Sequence, residues 1–178
     1  LGDIRDARFV EEACRDVDIV FHLAALPSVR FSFEDPQEAH DVNATGTLNV
    51  LAVARAVGCP RMVFASSCAL YGDKTPPPVS ENASVKPLSP YAAQKLASES
   101  YCFLYTRFLG VPAAALRFFN IYGPRQNPAS EYAAVVPNFL TRLLAGEAPV
   151  IFGDGEQTRD FVFVEDAVNA LVLASSSF

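Results

Sequence analysis

Three short apolar runs, Asp18-Ile-Val-Phe-His-Leu23, Arg61-Met-Val-Phe-Ala-Ser66 and Val111 to Phe119, alternate with segments of helical periodicity, and this alternation constrains the fold most. Ala7 to Cys14 repeats its apolar positions as a helix does, and Pro36 to Ala56 reads as a long helix closed by Gly58. Pro76-Pro77-Pro78 and Pro87 forbid regular structure, after which Ser89-Pro90 opens a further helix. The order βαβαβ with apolar strands predicts an α/β, doubly wound parallel sheet covered on both faces. Ligands of such sheets sit beyond the C-terminal ends of the strands. His22, Ser66, Ser67 and Asn120 each fall at or just past such an end.

After Asn120 the alternation stops. Tyr122-Gly-Pro-Arg-Gln-Asn-Pro128 reads as a turn-rich loop, Val135 to Ala145 as a helix, and Val150-Ile-Phe152 and Phe161-Val-Phe-Val164 as short strands. This part has the character of the start of a substrate-binding region. Leu1 to Asp6 resembles the tail of a strand entering a turn, and Leu171 to Phe178 stops inside a helical pattern, so the chain is expected to be a fragment. No G-x-G-x-x-G or G-x-x-G-x-x-G fingerprint occurs; in a dinucleotide enzyme it would precede Leu1.

Composition narrows the function classes. With 178 residues, 51% hydrophobic and 19% charged, the chain can bury a sizeable core. Its formal charge of -6 is spread without long runs or a basic stripe, which argues against a nucleic-acid surface. Four widely spaced cysteines and two histidines indicate neither a zinc site nor a disulfide framework, and fit reduced thiols in a cytoplasmic protein. No run approaches the roughly 20 apolar residues of a membrane span, and the N-terminus lacks a signal-peptide layout.

The chemistry centres on Tyr91-Ala-Ala-Gln-Lys95. On a helix, positions i and i+4 share a face, so a phenol and an ammonium stand one turn apart. A nearby cation stabilises the phenolate, and this predicts a Tyr91 pKa below the usual value of about 10. Ser67 is placed to hydrogen-bond the same substrate oxygen. The spacing alone arises by chance about one time in ten in a chain with this many Tyr and Lys. Rival readings exist for its neighbours too: Asp3 as a turn or cap residue, His22 as a structural histidine, and Ser66 and Ser67 as ordinary strand-end hydroxyls.

Gly2-Asp-Ile-Arg-Asp6, His22-Leu-Ala-Ala25, Asn43 with Gly46-Thr47, Ser66-Ser67 with Tyr71-Gly72, Ser89-Pro-Tyr-Ala-Ala-Gln-Lys95, Arg117-Phe-Phe-Asn120 and Arg159-Asp160 occur in order. In this ordered set the chain resembles the extended short-chain dehydrogenases/reductases, the NAD-dependent epimerase/dehydratase family, and within them the nucleotide-sugar 4-epimerases. The resemblance runs along essentially the whole chain. It implies a Rossmann-like sheet whose first βαβ unit is missing, with residues 1–119 a partial NAD-binding domain and 120–178 the beginning of an interleaved substrate part.

The same resemblance implies roles. Ser67, Tyr91 and Lys95 would be catalytic. Asp3, Ile4, Leu23, Ala24, Ala25, Asn43, Ser66, Tyr91, Lys95 and Phe118 would bind the cofactor, with Asp3 on the adenine and Asn43 acting structurally through a nearby loop. Ser28, Ser67, Cys68, Tyr91, Asn120, Gln126, Ala134, Val135 and Arg159 would line the substrate site, Asn120 and Arg159 meeting the diphosphate. Gln126, Tyr132, Ala133 and Ala134 resemble the corresponding stretch of epimerases that accept N-acetylated UDP-sugars, and Ala134 would leave room for an acetamide. Cys68 departs from the hydroxyl expected in that subgroup. Cys68-Ala69 stands where the related 4,6-dehydratases carry an Asp-Glu pair, so dehydration lacks its acid and base.

The resemblance therefore implies 4-epimerisation of a UDP-sugar with NAD through a transient 4-keto sugar. The rivals are a uronate epimerase or decarboxylase, a noncatalytic NAD-binding protein, and a fragment inactive by itself. A homodimer through the helices Pro36 to Ala56 and Pro90 to Gly110 is the implied assembly. NAD is expected over NADP on family grounds.

Overall fold

The computed structural model describes residues 1–58, 61–73, 75–128 and 135–177. It divides into two units, one formed by Leu1–Arg117 together with the residues from Leu171 onward, the other by Phe118–Ala170. The last residues thus belong to the first unit.

In the first unit, the Asp6 carboxylate accepts from the amides of Arg8 and Phe9 and starts helix α1 (Ala7–Cys14). Strands β1 (Val20–His22), β2 (Met62–Ser67) and β3 (Ala113–Phe118) form one sheet in that order. Strands β1 and β2 run parallel, with Val20 opposite Met62 and His22 opposite Phe64. Met62, Val63 and Phe64 are fully buried, and successive residues face opposite sides of a sheet, so β2 is covered on both faces.

The helix expected over 36–56 forms as α3 (Pro36–His40) and α4 (Gly46–Ala56), joined by a widened π turn at Asp41–Thr45. In that turn the Gly46 amide reaches back five residues to the Asp41 carbonyl. The Asn43 carbonyl is met by the hydroxyls of Thr47 at 2.7 Å and Ser98 at 3.0 Å. A short helix that periodicity did not indicate, α2 (Val29–Glu34), precedes it. Helix α5 (Pro90–Leu104) starts as expected: Ser89 Oγ accepts from the Ala92 amide at 3.1 Å, and Pro90 occupies the first turn. It continues as a second π turn, Tyr105–Leu109, and stops at Gly110 with φ 75, a left-handed cap that suits glycine. The core lies among Val10 of α1, Leu51 and Ala54 of α4, Met62 and Phe64 of β2, and Cys102 of α5.

In the second unit, β4 (Asn120–Tyr122) and β5 (Phe161–Phe163) pair in parallel, Asn120 opposite Phe161. Helix α6 (Val135–Leu144) lies between them in the chain, and α7 (Val164–Ala174) follows β5 directly. Two expectations need correction here. Val150–Phe152 is not a strand: its side chains are exposed, and Gly153 and Gly155, at φ 81 and 83, turn the chain away at once. Tyr122, read as the first residue of a loop, instead ends the strand Asn120–Tyr122, for which Phe161–Phe163 supplies the partner. Among the described residues no helix is long and apolar enough to cross a membrane, and no cluster of three or more His, Cys, Asp or Glu could hold a metal ion.

Candidate active site

Helix α5 and the end of β2 bring Ser67, Tyr91 and Lys95 together. Tyr91 sits in the first turn of α5, its amide donating to Ser32 Oγ at 3.1 Å and its phenol near enough to the Ser67 side chain for that hydroxyl to pull its pKa down. Ser67 Oγ also accepts from the Ala69 amide at 3.2 Å, which starts the 3-10 turn Cys68–Tyr71. Lys95, one turn on and 3% exposed, donates from Nζ to the Ala65 carbonyl at 2.8 Å. Its ammonium lies 4.6 Å from the Phe64 ring centroid and 5.9 Å from that of Tyr91.

The electrostatics differ from the expectation. Burial pushes the Tyr91 pKa up, the Ser67 hydrogen bond pulls against that shift, and nearby Cys68 adds to it. Lys95 does not reverse this, because its ammonium is directed at the Ala65 carbonyl and the Phe64 ring. Burial lowers the Lys95 pKa itself to about 8. The site thus holds a neutral phenol beside a cation that is easily discharged, and phenolate formation calls for additional positive charge.

A buried polar hub fixes this arrangement. Asn43 Oδ1 accepts from the Leu26 amide at 2.8 Å, while Nδ2 donates to the Leu26 carbonyl at 3.0 Å and to Gln94 Oε1 at 2.9 Å. Asn43 therefore holds the loop after β1 against α5, a structural task. His22 Nε2 lies 2.9 Å from Thr47 Oγ1. Since that hydroxyl donates to the Asn43 carbonyl, the His22 ring nitrogen is the donor. Burial, reinforced by Lys95, lowers the His22 pKa to about 4 and keeps the ring neutral. Thr47 and Gln94 stand in motifs quoted from the sequence but were given no role, and Ser98 was not singled out; polar residues on the buried faces of α4 and α5 were the available signal.

The remaining first-unit candidates surround the same strand ends. Leu23 and Ala24 are exposed and Ala25 half-buried beyond β1. Ser28 is 3% exposed, and its hydroxyl accepts from the Phe31 amide at 2.8 Å to cap α2. Ile4 packs where a side chain on Gly46 would stand, and Asn49 Nδ2 donates to the Ile4 carbonyl at 3.2 Å. The Asp3 carboxylate is gripped by Arg5, which lowers its pKa, and Arg5 also reaches Glu38 at 2.8 Å. Ser66 gives the clearest sign of a ligand: its residue is 5% exposed, yet its hydroxyl has no hydrogen-bond partner among the described residues. Buried hydroxyls are rarely left unpaired, so the end of β2 suits a ligand with polar groups.

In the second unit, Asn120, Val135 and Arg159 line one cavity of about 570 Å³ with Phe139, Phe152 and Phe161. An exposed guanidinium beside aromatic walls and an amide suits an anionic group attached to a flat ring. Asn120 Nδ2 donates to the Asp160 carbonyl at 2.9 Å. Gln126 is not in this cavity. It lines another, of about 450 Å³, with Tyr122, Pro137, Leu140 and Phe163, and its Oε1 is buried without a partner among the described residues. Phe118 closes β3. Tyr132, Ala133 and Ala134 lie outside the described residues.

A model of the NAD dependent epimerase/dehydratase family matches residues 1–177. A putative UDP-glucose 4-epimerase of Methanocaldococcus jannaschii is 44% identical over 175 residues, 97% of this chain and 57% of that protein. A UDP-N-acetyl-alpha-D-glucosaminuronate decarboxylase of Bacillus cytotoxicus is 38% identical over 176 residues, 96% of this chain and 54% of that protein. Among solved structures, the UDP-N-acetylglucosamine 4-epimerase of Methanobrevibacter ruminantium M1, in complex with UDP-N-acetylmuramic acid, superimposes with a TM-score of 0.94 at 41% identity. The match covers 99% of this chain and 56% of that one. The chain thus spans little more than half the length of each of these three proteins.

Proposed function

Because the chain belongs to the NAD-dependent epimerase/dehydratase family, we propose that the protein carrying it inverts C4 of a UDP-hexose by transient oxidation to the 4-keto sugar. The substrate would be UDP-glucose and UDP-galactose or the N-acetylated pair. The observation that carries this reading is the convergence of the Tyr91 phenol and the Ser67 side chain at the end of β2, with buried Lys95 one turn away and tied to the Ala65 carbonyl. Tyr91 Oη takes the proton of the sugar 4-hydroxyl and returns it, while Ser67 holds the same oxygen. Lys95 supplies positive charge and ammonium donors at the end of β2. When bound, NAD supplies the acceptor and donor of the C4 hydride, together with a positively charged ring that favours the phenolate. The unpaired Ser66 hydroxyl and the exposed residues Leu23 and Ala24 fit such a group; Asp3, Ile4, Ala25, Tyr91, Lys95 and Phe118 would complete its site.

Arg159 and Asn120 would hold the UDP diphosphate, the guanidinium pairing two of its oxygens. With Cys68-Ala69 in place of an acid pair, elimination of water has no proton carriers at those positions. An intact Ser67–Tyr91–Lys95 group also argues against a protein that only binds NAD. For the homodimer, Phe103 and Phe108, 65% and 70% exposed at the end of α5 and in the following π turn, supply an apolar helix face of the expected kind.

The test is to incubate the intact protein and NAD with UDP-glucose, UDP-N-acetylglucosamine and UDP-glucuronate, and to follow the products by NMR. The 4-epimers should form, and should not form with Tyr91→Phe. Release of carbon dioxide from the uronate, without 4-epimers of the neutral sugars, would replace this reading with the decarboxylase one.

A further inference from the structure

Arg117, the penultimate residue of β3, makes more directed contacts than its place in a strand requires. Its Nε donates to Glu99 Oε1 at 2.9 Å, and its Nη2 to Glu99 Oε2 at 2.8 Å, a two-pronged pair between side chains only 24% and 13% exposed. The guanidinium also lies over the Tyr71 ring, its carbon 5.0 Å from the centroid. Glu99 and then Tyr71 push the Arg117 pKa up, so the cation persists at any working pH.

What the two partners belong to gives these contacts a purpose. Glu99 is on α5, one turn beyond Lys95 and two beyond Tyr91, about 12 Å along a stiff helix. Tyr71, 6% exposed, ends the turn Cys68–Tyr71 that begins directly after Ser67. Lys86 fastens that turn from the loop side by donating its amide to the Leu70 carbonyl at 2.7 Å. Arg117 therefore grips α5 two turns beyond Tyr91 and the end of the turn that Ser67 caps. The polar hub sets α5 against α2, α3 and the π turn Asp41–Thr45; the guanidinium sets it against the turn that follows Ser67.

We propose that Arg117 is a positioning residue that keeps Ser67 and Tyr91 in hydrogen-bonding register, acting through Tyr71 and Glu99 and touching no reacting atom. Its catalytic meaning rests on the proton-transfer role given above to that pair. A displacement well under 1 Å at Tyr71 or Glu99 lengthens the Ser67–Tyr91 hydrogen bond, and misplacement on that scale is expensive in a proton transfer.

The test uses the intact protein with isotope-labelled tyrosine, the Tyr91 signal being assigned by its loss in Tyr91→Phe. Arg117→Lys keeps the charge but removes the fork and the flat stack on Tyr71. A double variant, Arg117→Met with Glu99→Met, avoids leaving a lone buried charge, so the fold survives. In both, Tyr91 should titrate at higher pH than in the unaltered protein, because the Ser67 hydrogen bond that restrains its pKa is weakened. The kcat for 4-epimer interconversion should fall about tenfold or more, with KM and NAD binding changed less than about twofold. A folded variant with wild-type Tyr91 titration, or with unchanged kcat, overturns the proposal. If the unaltered protein lacks epimerase activity, the function above fails, and the Tyr91 titration alone then decides the role of Arg117.

Discussion

The Lys95 ammonium donates to the Ala65 carbonyl at 2.8 Å, which ties the helix bearing Tyr91 to the strand bearing Ser66 and Ser67. One contact thus sets geometry and carries charge into a buried place. Burial lowers the Lys95 pKa from its ordinary 10.5 to about 8, so folding at neutral pH works against that charge. The site is held at a cost in stability, as is common where chemistry needs a desolvated ion.

This cost has a definite pH dependence. Below pH 8 both folded and unfolded chains carry the Lys95 proton, and the penalty is fully present. Between pH 8 and 10.5 the folded protein releases the proton while the unfolded chain keeps it, so the Lys95 contribution to stability rises with pH. Lys95→Met removes the titration. The stability difference between the unaltered protein and Lys95→Met should therefore move by about 3 kcal/mol in favour of the unaltered protein from pH 7.5 to 10.5. Urea unfolding of both proteins across that range checks it; a constant difference refutes it.

Ser67→Ala removes the hydrogen bond that opposes the upward shift of the Tyr91 pKa. If Tyr91 is the proposed base, it must be ionised to take a proton, so the acidic limb of the kcat profile should move to higher pH, with activity recovering as pH rises. Tyr91→Phe has no limb to move and should lose about 10²-fold to 10⁴-fold at every pH. Profiles of both variants side by side check the assignment, and a limb that stays in place in Ser67→Ala counts against it.

Tyr91, Lys95 and Ser67 were legible because helical spacing and strand ends are local properties of the sequence. The sign of the Tyr91 shift was not, because it depends on how deeply the phenol is buried and on where the Lys95 ammonium points. The π turn at Asp41–Thr45 escaped for a related reason: apolar periodicity barely changes when one carbonyl is taken by the hydroxyls of Thr47 and Ser98. Gln126 and Val135 were grouped together by the family resemblance, but the two faces of α6 line different cavities. Val135 and Phe139 line one cavity, while Pro137 and Leu140 line the other with Gln126. Arg117 and Glu99 are 18 residues apart, and only the packing of β3 on α5 makes them partners.

Arg159 should act in binding rather than in chemistry. If it pairs with the diphosphate equally in ground and transition states, Arg159→Met raises KM for the UDP-sugar about tenfold or more and leaves kcat nearly unchanged. Steady-state kinetics with a single sugar nucleotide suffice. A fall in kcat at constant KM would remove Arg159 from the diphosphate.

Gly46→Ala sets two effects against each other. Within a helix, Ala is favoured over Gly by about 1 kcal/mol, so the exchange would ordinarily stabilise α4. Here the new methyl would stand 2.6 Å from Cδ1 and Cγ1 of Ile4, too close for either to remain in place. Ile4 is next to Asp3, and Asn49 holds its carbonyl, so relief of the clash takes a change of the Ile4 rotamer or a shift of the loop beside Asp3. Overpacking of this kind costs about 1–3 kcal/mol, which outweighs the helical gain. Gly46→Ala should therefore lower Tm and weaken NAD binding, and Ile4→Ala in the same chain should restore much of the lost stability by vacating the space. Thermal melts with and without NAD check both parts, and a Gly46→Ala protein more stable than the original would show that Ile4 does not confine this position.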